Sequence, residues 1–171
     1  MAKTDGLILG EFSRKLDERY RLSLPLELLE TFRSGAAAAD GSSPADTFDC
    51  ILAKERPGCV SVWSSSTWQE RMANDVEIIA RKYQNGYLNQ SIPQLQVLGR
   101  LLSTRQRPVQ LVKGRLLLPE GFREFLRVEP KGEVMVVGAA VCVEIWNPQQ
   151  WIQYAETTMA SFQETFAQLA G

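Results

Sequence analysis

Two stretches of the chain carry the same pattern of apolar and polar positions. Arg21–Leu24 and Arg115–Leu118 each read as a short apolar strand that runs into a proline. Proline at a first helical position presets φ and gives up an N–H that would lack a partner there, so a helix of about two to three turns is predicted after each. Its inward face would carry Leu26, Leu29 and Phe32 in the first stretch and Phe122, Phe125 and Leu126 in the second. A hairpin follows in each, Cys50–Ala53 with Cys59–Trp63 and Val134–Val137 with Val141–Trp146, turning at Pro57-Gly58 and at Gly138-Ala139. A longer amphipathic helix then closes each stretch. Asn147 before Pro148 is an N-cap signal, and Ser64 holds the matching position. Trp68, Met72, Val76, Ile79 and Tyr83 form one helical stripe, and Trp151, Ala155, Met159, Phe162, Phe166 and Leu169 form the other. Stripes of this period normally pack into a core, with contact between subunits as the alternative. Ser91–Leu102 predicts a further helix linking the two stretches.

These stretches are an internal repeat. Arg21–Arg33 matches Arg115–Arg127 at an offset of 94, and Cys50–Trp63 matches Glu133–Trp146 at 83, an offset that Trp68 and Trp151 keep. The 11-residue difference falls in Ser34–Asp49, a small, polar segment punctuated by glycine and proline, predicted to be a flexible surface insertion in the first copy. The expected organisation is a first repeat over 5–84 with the insertion at 34–49, a linker helix over 85–102, a second repeat over 103–154, and the end of the C-terminal helix over 155–171.

Composition narrows the chemistry. The sequence has no histidine, which removes a Cys-His or Ser-His dyad along with the commonest general base and metal ligand. Its three cysteines, Cys50, Cys59 and Cys142, show no C-x-x-C spacing, so no metal site and no cofactor are expected. Cys59 and Cys142 sit at matching strand positions among apolar residues and read as core rather than as nucleophiles. Phosphate-cradling and nucleophile-elbow glycine motifs are missing too, and an enzyme is not expected. No apolar run is long enough for a membrane span and no secretory leader is evident, so a cytoplasmic protein is expected, with neither a membrane partner nor a small-molecule substrate. Net charge is −1, yet Arg100–Arg127 carries a local +5 and Val128 to the end a local −4. Such asymmetry suggests one basic face.

Upstream of the first repeat stands Ser13–Leu28, SRKLDERYRLSLPLEL. It resembles the AbrB-type DNA-binding element, in which a strand leads through an Asp-x-x-x-Arg turn into a strand ending in proline. Two such elements, each followed by a tryptophan-bearing helix, make the chain similar to the MraZ family from about Leu7 to about Tyr154. The resemblance implies an α+β fold in which two AbrB-like swapped-hairpin β-α units interleave into a β-barrel-like core flanked by helices. It also implies self-association into a ring-like homo-oligomer, and a nucleoid-associated transcription regulator that binds G-rich promoter repeats in double-stranded DNA upstream of a division and cell-wall operon.

Carried over by residue, Asp17 and Arg21 fill the motif in the first copy. Tyr20 stands where the family often has a turn glycine, and a positive φ there would be strained. In the second copy the offset of 94 puts Leu111 at the aspartate position, leaving Gly114 and Arg115. The candidate DNA-contacting residues are Arg14, Lys15, Asp17, Arg19 and Arg21, with Arg105, Arg107, Lys113 and Arg115. Arginine's fork matches the O6/N7 edge of guanine, whereas Asp17 repels phosphate and is suited to holding Arg21 or the turn in place. The alternative function is a ring-forming scaffold with degenerate DNA binding, for which the aspartate missing at Leu111 is the best argument.

Overall fold

The two copies exchange partners. In the computed structural model, which describes residues 6–34 and 47–171, the elements run β1 (Ile8–Lys15), β2 (Arg21–Ser23), α1 (Leu26–Ser34), β3 (Thr47–Arg56), β4 (Cys59–Ser64), α2 (Ser65–Arg71), α3 (Asn74–Gln84), α4 (Ile92–Arg105), β5 (Gln106–Val112), β6 (Arg115–Leu117), α5 (Glu120–Leu126), β7 (Glu133–Ala140), β8 (Val143–Trp146), α6 (Pro148–Met159) and α7 (Phe162–Ala170). The eight strands form one antiparallel sheet in the order β1-β7-β8-β4-β3-β5-β6-β2. The first strand of each copy pairs with the other copy's hairpin: β1 lies on β7, β5 lies on β3, and the hairpins meet through β4 and β8. The sheet's two end strands, β1 and β2, are joined by a tight turn, so the sheet nearly closes on itself. Exchange of β1 for β5, β2 for β6, β3 for β7 and β4 for β8 reproduces that cyclic order, and the fold is the α+β, barrel-like swapped-hairpin arrangement that the resemblance implies.

Alternation in the strands fills the barrel. Leu22, Leu52, Val60, Val62, Leu111, Leu116, Val134, Val136, Val143 and Ile145 are all 0% exposed and point inward. On the outer face, two smaller clusters lie under the helices. Trp63, Trp68 and Ala53 gather around Cys142, while Trp146 and Val137 gather around Cys59. Each copy's cysteine therefore sits against the other copy's tryptophan. All three cysteines are buried, and burial pushes the Cys59 and Cys142 thiols far up, away from the reactive thiolate.

Several expectations need correction. Pro25 and Pro119 stand one residue before their helices, with Pro119 as the N-cap of α5, and their carbonyls open the helical bonding. Leu26 points outward; the buried face of α1 is Leu28, Leu29 and Phe32. Gly138 and Ala139 belong to β7, and the chain turns at Ala140–Cys142 with Ala140 at φ 68°. A Cβ at Gly138 would come within 2.6 Å of the Ile8 carbonyl oxygen, so this glycine serves a close strand approach rather than a turn. Thr47–Asp49, assigned to the insertion, open β3 and pair with Val112, Leu111 and Gln110, where Phe48 packs its ring 5.4 Å from Phe32. The rest of the insertion, 35–46, lies outside the described residues.

The closing helices begin as predicted. Ser64 Oγ accepts from Thr67 N at 3.2 Å, and Asn147 Oδ1 accepts from Gln149 N at 3.0 Å. Asn147 Nδ2 also donates to the carbonyls of Leu126 and Arg127, fastening α6 to the end of α5. Neither helix runs on unbroken. Trp68 O receives both Met72 N and Ala73 N, which ends α2, and a second break at Ala160–Ser161 separates α6 from α7. Only the first turns of each stripe reach the sheet. Val76, Tyr83, Met159, Phe162, Phe166 and Leu169 are exposed, so in the single chain these stripes are not core.

Candidate nucleic-acid interface

The two turns predicted to carry function flank one short ribbon. β2 and β6 pair with Arg21 opposite Leu117, Leu22 opposite Leu116 and Ser23 opposite Arg115. Leu22 and Leu116 face the core, so Arg21, Ser23, Arg115 and Leu117 share the outer face. Arg21 and Arg115 are diagonal neighbours there, about 7–8 Å apart by ordinary strand geometry. Each end of the ribbon is closed by the same bond: Leu118 N donates to Tyr20 O, and Leu24 N donates to Gly114 O, both at 3.0 Å. The two turns and two arginines are thus related by the molecule's internal twofold.

The first turn is a three-residue loop. Asp17 O accepts from Tyr20 N, and Asp17 N donates to Arg21 O, both at 3.1 Å. The bulge position of such a loop wants a left-handed residue, usually glycine. Tyr20 takes it at φ 60°. Its ring compensates by packing on the core and lying 4.2 Å under the Arg123 guanidinium. Asp17 organises everything else. Its Oδ1 accepts from Arg19 N and Arg21 N at 2.8 Å each, and its Oδ2 accepts from Arg21 Nε at 2.8 Å. The N–H of Arg21, then that of Arg19 and the Arg21 guanidinium, hold this carboxyl below the usual carboxylate range. Only Nε of Arg21 is engaged by Asp17, which leaves the terminal nitrogens of the fork directed elsewhere. Glu18 pairs with Lys131 at 3.4 Å, drawing the turn toward the loop after α5.

The second turn is shorter by one residue. Val112 pairs with Arg115, and Lys113 (φ 53°) and Gly114 (φ 76°) are the only residues between them. Two left-handed residues in a two-residue loop make a turn of the type that matches strand twist. Structurally Leu111 therefore corresponds to Leu16, both buried just before the turn, and Val112 stands where Asp17 stands. The sequence offset of 94 misplaced that correspondence by one residue. The departure from the motif is real, but it lies at Val112, and Arg115 has no carboxylate of its own turn to hold it.

Of the nine candidates, the structure brings Arg14, Lys15, Asp17, Arg19 and Arg21 together at the first turn and Lys113 and Arg115 at the second. Arg14 is half-buried, its guanidinium 5.6 Å over the Phe12 ring and donating to Ser13 O. Arg105 and Arg107 are elsewhere. Arg105 closes α4 and Arg107 stands at the opposite end of β5 from its turn, and six residues of strand carry Arg107 about 20 Å from Lys113. Arg105 is committed to Glu55 at 3.7 Å and to Lys54 O at 3.4 Å. Sequence reasoning missed Ser23, which alternation in β2 would have placed beside Arg21, and Arg123, whose contact with Tyr20 no local pattern encodes.

Among the described residues no group of three or more metal-ligating side chains converges, and no helix is long and apolar enough to cross a membrane. The family model described as "MraZ protein, putative antitoxin-like" matches residues 112–171, from the second turn to the C-terminus. Proteins named transcriptional regulator MraZ are similar over nearly the whole chain. The one from Thermomicrobium roseum is 26% identical, covering 90% of this chain and 91% of its own. That from Desulforamulus reducens is also 26% identical, over 92% and 94% respectively. The Micrococcus luteus protein is 26% identical over 93% of this chain and 94% of its own.

Proposed function

On the premise that this chain is a relative of the MraZ family, we propose that it is a DNA-binding transcription regulator which reads promoter repeats through the outer face of its β2/β6 ribbon. The observation that supports this most is the placement of Arg21 and Arg115 side by side on that face, with a turn at either end. A two-stranded ribbon fits the major groove, and two forks at this spacing can each address a guanine edge. Arg21 is the base reader, because Asp17 fixes its Nε and aims the rest of the fork. Lys15, Arg19 and Lys113 border the ribbon as phosphate contacts. Arg115, without a carboxylate beside it, contributes less to discrimination. G-rich repeats upstream of the division and cell-wall operon are the sites this reading expects.

The exposed apolar faces of α3, α4 and α7 supply the self-association surface, and a closed ring would present many ribbons to repeated sites. Sedimentation that found only a 19.2 kDa species at micromolar concentration would remove the ring.

Binding of duplex DNA carrying the sequence upstream of the chain's own gene, compared with a scrambled duplex at two salt concentrations, tests the reading. Arg21→Ala is expected to cost about 1–3 kcal/mol on the upstream sequence and much less on the scrambled one. Lys15→Ala should weaken both equally and reduce the salt slope by about one. Equal wild-type binding to both duplexes, unchanged by Arg21→Ala, would leave a ring-forming scaffold as the better description.

A further inference from the structure

A cleft of about 700 Å³ lies away from the β2/β6 ribbon, between α4 and the start of α5. Its floor is Lys54, whose Nζ rests 5.3 Å from the Phe122 ring and bonds Thr104 Oγ1 at 3.0 Å. Arg100 and Arg107 stand on its walls, with Ser103 and Gln106 between them. No carboxylate lines it, and Arg100 and Arg107 make no ion pair among the described residues. α4 is two-faced. Leu95, Leu98 and Leu102 turn toward α3, and Gln96, Arg100 and Ser103 turn to the cleft.

The internal twofold shows that the repeat does not generate this chemistry by default. Strand registers equate Lys54 with Gly138, Arg107 with Phe12 and Gln106 with Glu11, because Leu52 and Ala53 pair with Arg107 and Gln106 just as Val136 and Val137 pair with Phe12 and Glu11. The helices equate Gly121 with Glu27 and Phe122 with Leu28. The positions that answer to Lys54, Gln106, Arg107, Gly121 and Phe122 therefore hold glycine, glutamate, phenylalanine, glutamate and leucine, and none of the five is a cation. The ribbon arginines and the left-handed residues before them occur in both copies, whereas this cluster of cations occurs once.

We propose that the cleft binds a small phosphorylated ligand of nucleoside-polyphosphate size. Its volume falls within the range of about 300–1,000 Å³ typical of small-molecule sites. Three cations from three elements surround a space into which hydroxyl and amide groups also point, and guanidinium forks match phosphate oxygens bidentately. The Lys54 ammonium is held over the Phe122 and Phe125 rings at the cleft floor, so its charge is placed before a ligand arrives. A ligand bound here bridges α4, β3 and β5, and α4 is the helix that joins the two copies.

Calorimetric titration of the full chain with ATP and, separately, with inorganic pyrophosphate tests the proposal. Saturable binding of either is the expected result, pyrophosphate binding showing that the phosphate chain suffices and ATP binding alone that the nucleoside adds contacts. Arg100→Gln and Arg107→Gln, both at exposed positions and so tolerated by the fold, should each weaken binding by about tenfold or more, the usual worth of a charged hydrogen bond. Arg21→Ala should leave it unchanged, which separates this site from the ribbon. Absence of saturable binding of both probes at millimolar concentration would overturn the proposal, as would binding that neither arginine variant alters. Loss of duplex DNA binding in the Arg100→Gln/Arg107→Gln double variant, without ATP or pyrophosphate binding by the wild type, would assign the cleft to DNA and overturn it equally.

Discussion

Truncating Leu116 to alanine tests whether the ribbon is anchored as the alternation of β6 requires. Leu116 is 0% exposed and directly opposes Leu22, also 0% exposed, while its neighbour Leu117 is 51% exposed on the outer face. Removing a fully buried leucine side chain loses its transfer free energy and leaves a cavity, together about 2.7–5 kcal/mol. The barrel wall here is only two three-residue strands, which can collapse partway, so a loss near 3 kcal/mol is expected. Leu117→Ala should change stability by no more than about 0.5 kcal/mol, as at ordinary surface positions. The internal twofold makes a further demand: Leu22→Ala should cost about as much as Leu116→Ala. The double variant should cost less than the sum, because the two side chains face one another and would share a single cavity. Urea titration at one fixed protein concentration, followed by the fluorescence of the four tryptophans, gives the numbers, and the fixed concentration keeps the variants comparable where the chain self-associates. A Leu117→Ala loss as large as that of Leu116→Ala would refute the register of β2 on β6, and with it the placing of Arg21 and Arg115 on a common outer face.

Other perturbations read other parts of the molecule. Burial raises the Glu144 carboxyl above its usual range, and the nearby Glu55 pushes the same way. A raised acid binds more protons folded than unfolded, so its contribution to stability falls as pH rises from about the unfolded pKa through the folded one. Glu144→Gln, which can still accept from Trp146 Nε1, should stabilise the protein at neutral pH and flatten that part of the stability–pH curve; an unchanged curve would contradict the assignment. Gly138→Ala drives a Cβ into the backbone of Ile8 and Leu9 and should destabilise by about 1–3 kcal/mol or more, measured by the same urea titration; a neutral result would mean that β1 is free to shift off β7. Asp17→Asn keeps the size of the side chain but weakens its hold on Arg21. Upstream-sequence binding should then fall toward the scrambled level with little loss of fold, and full retention of discrimination would show that Arg21 aims itself.

Much of this architecture is legible in the sequence because the repeat supplies it twice. Leu-rich strands before Pro25 and Pro119, and capping residues Ser64 and Asn147, each announce an element, and their recurrence excludes coincidence. The errors have specific causes. A constant offset assumes no length change between landmarks, yet the first turn has one residue more than the second, and β3 carries an irregularity at Lys54–Arg56 that β7 does not. Either change shifts the apparent partner by one position, and in a strand one position inverts the face. Leu111 consequently read as a substituted aspartate although it is a core residue. Gly138 read as a turn because the close passage of β1 over it is a contact between residues far apart in sequence. The long stripes read as core because helical period reports an apolar face without reporting what covers it. Arg105 and Arg107 were grouped with Lys113 and Arg115 by nearness in sequence, whereas an extended strand separates its two ends by its full length.

Duplication itself indicates how the two kinds of site divide. Both copies keep an arginine at the start of the ribbon strand, a left-handed residue before it and a carbonyl that closes the ribbon's end, so selection for a twofold-symmetric surface accounts for these without further assumption. The copies differ where one acquires a carboxylate at Asp17 and the other Val112, which makes Arg21 the fixed fork and Arg115 the freer one. They differ again where Lys54 and Arg107 replace the positions of Gly138 and Phe12. Neither of these last cations bears on the ribbon. The first asymmetry tunes a shared surface and the second builds a new one. On this argument variants at Arg21 and at Arg107 should act independently, and strict additivity of their effects on DNA binding and on anion binding is the consequence that separates two sites from one extended basic face.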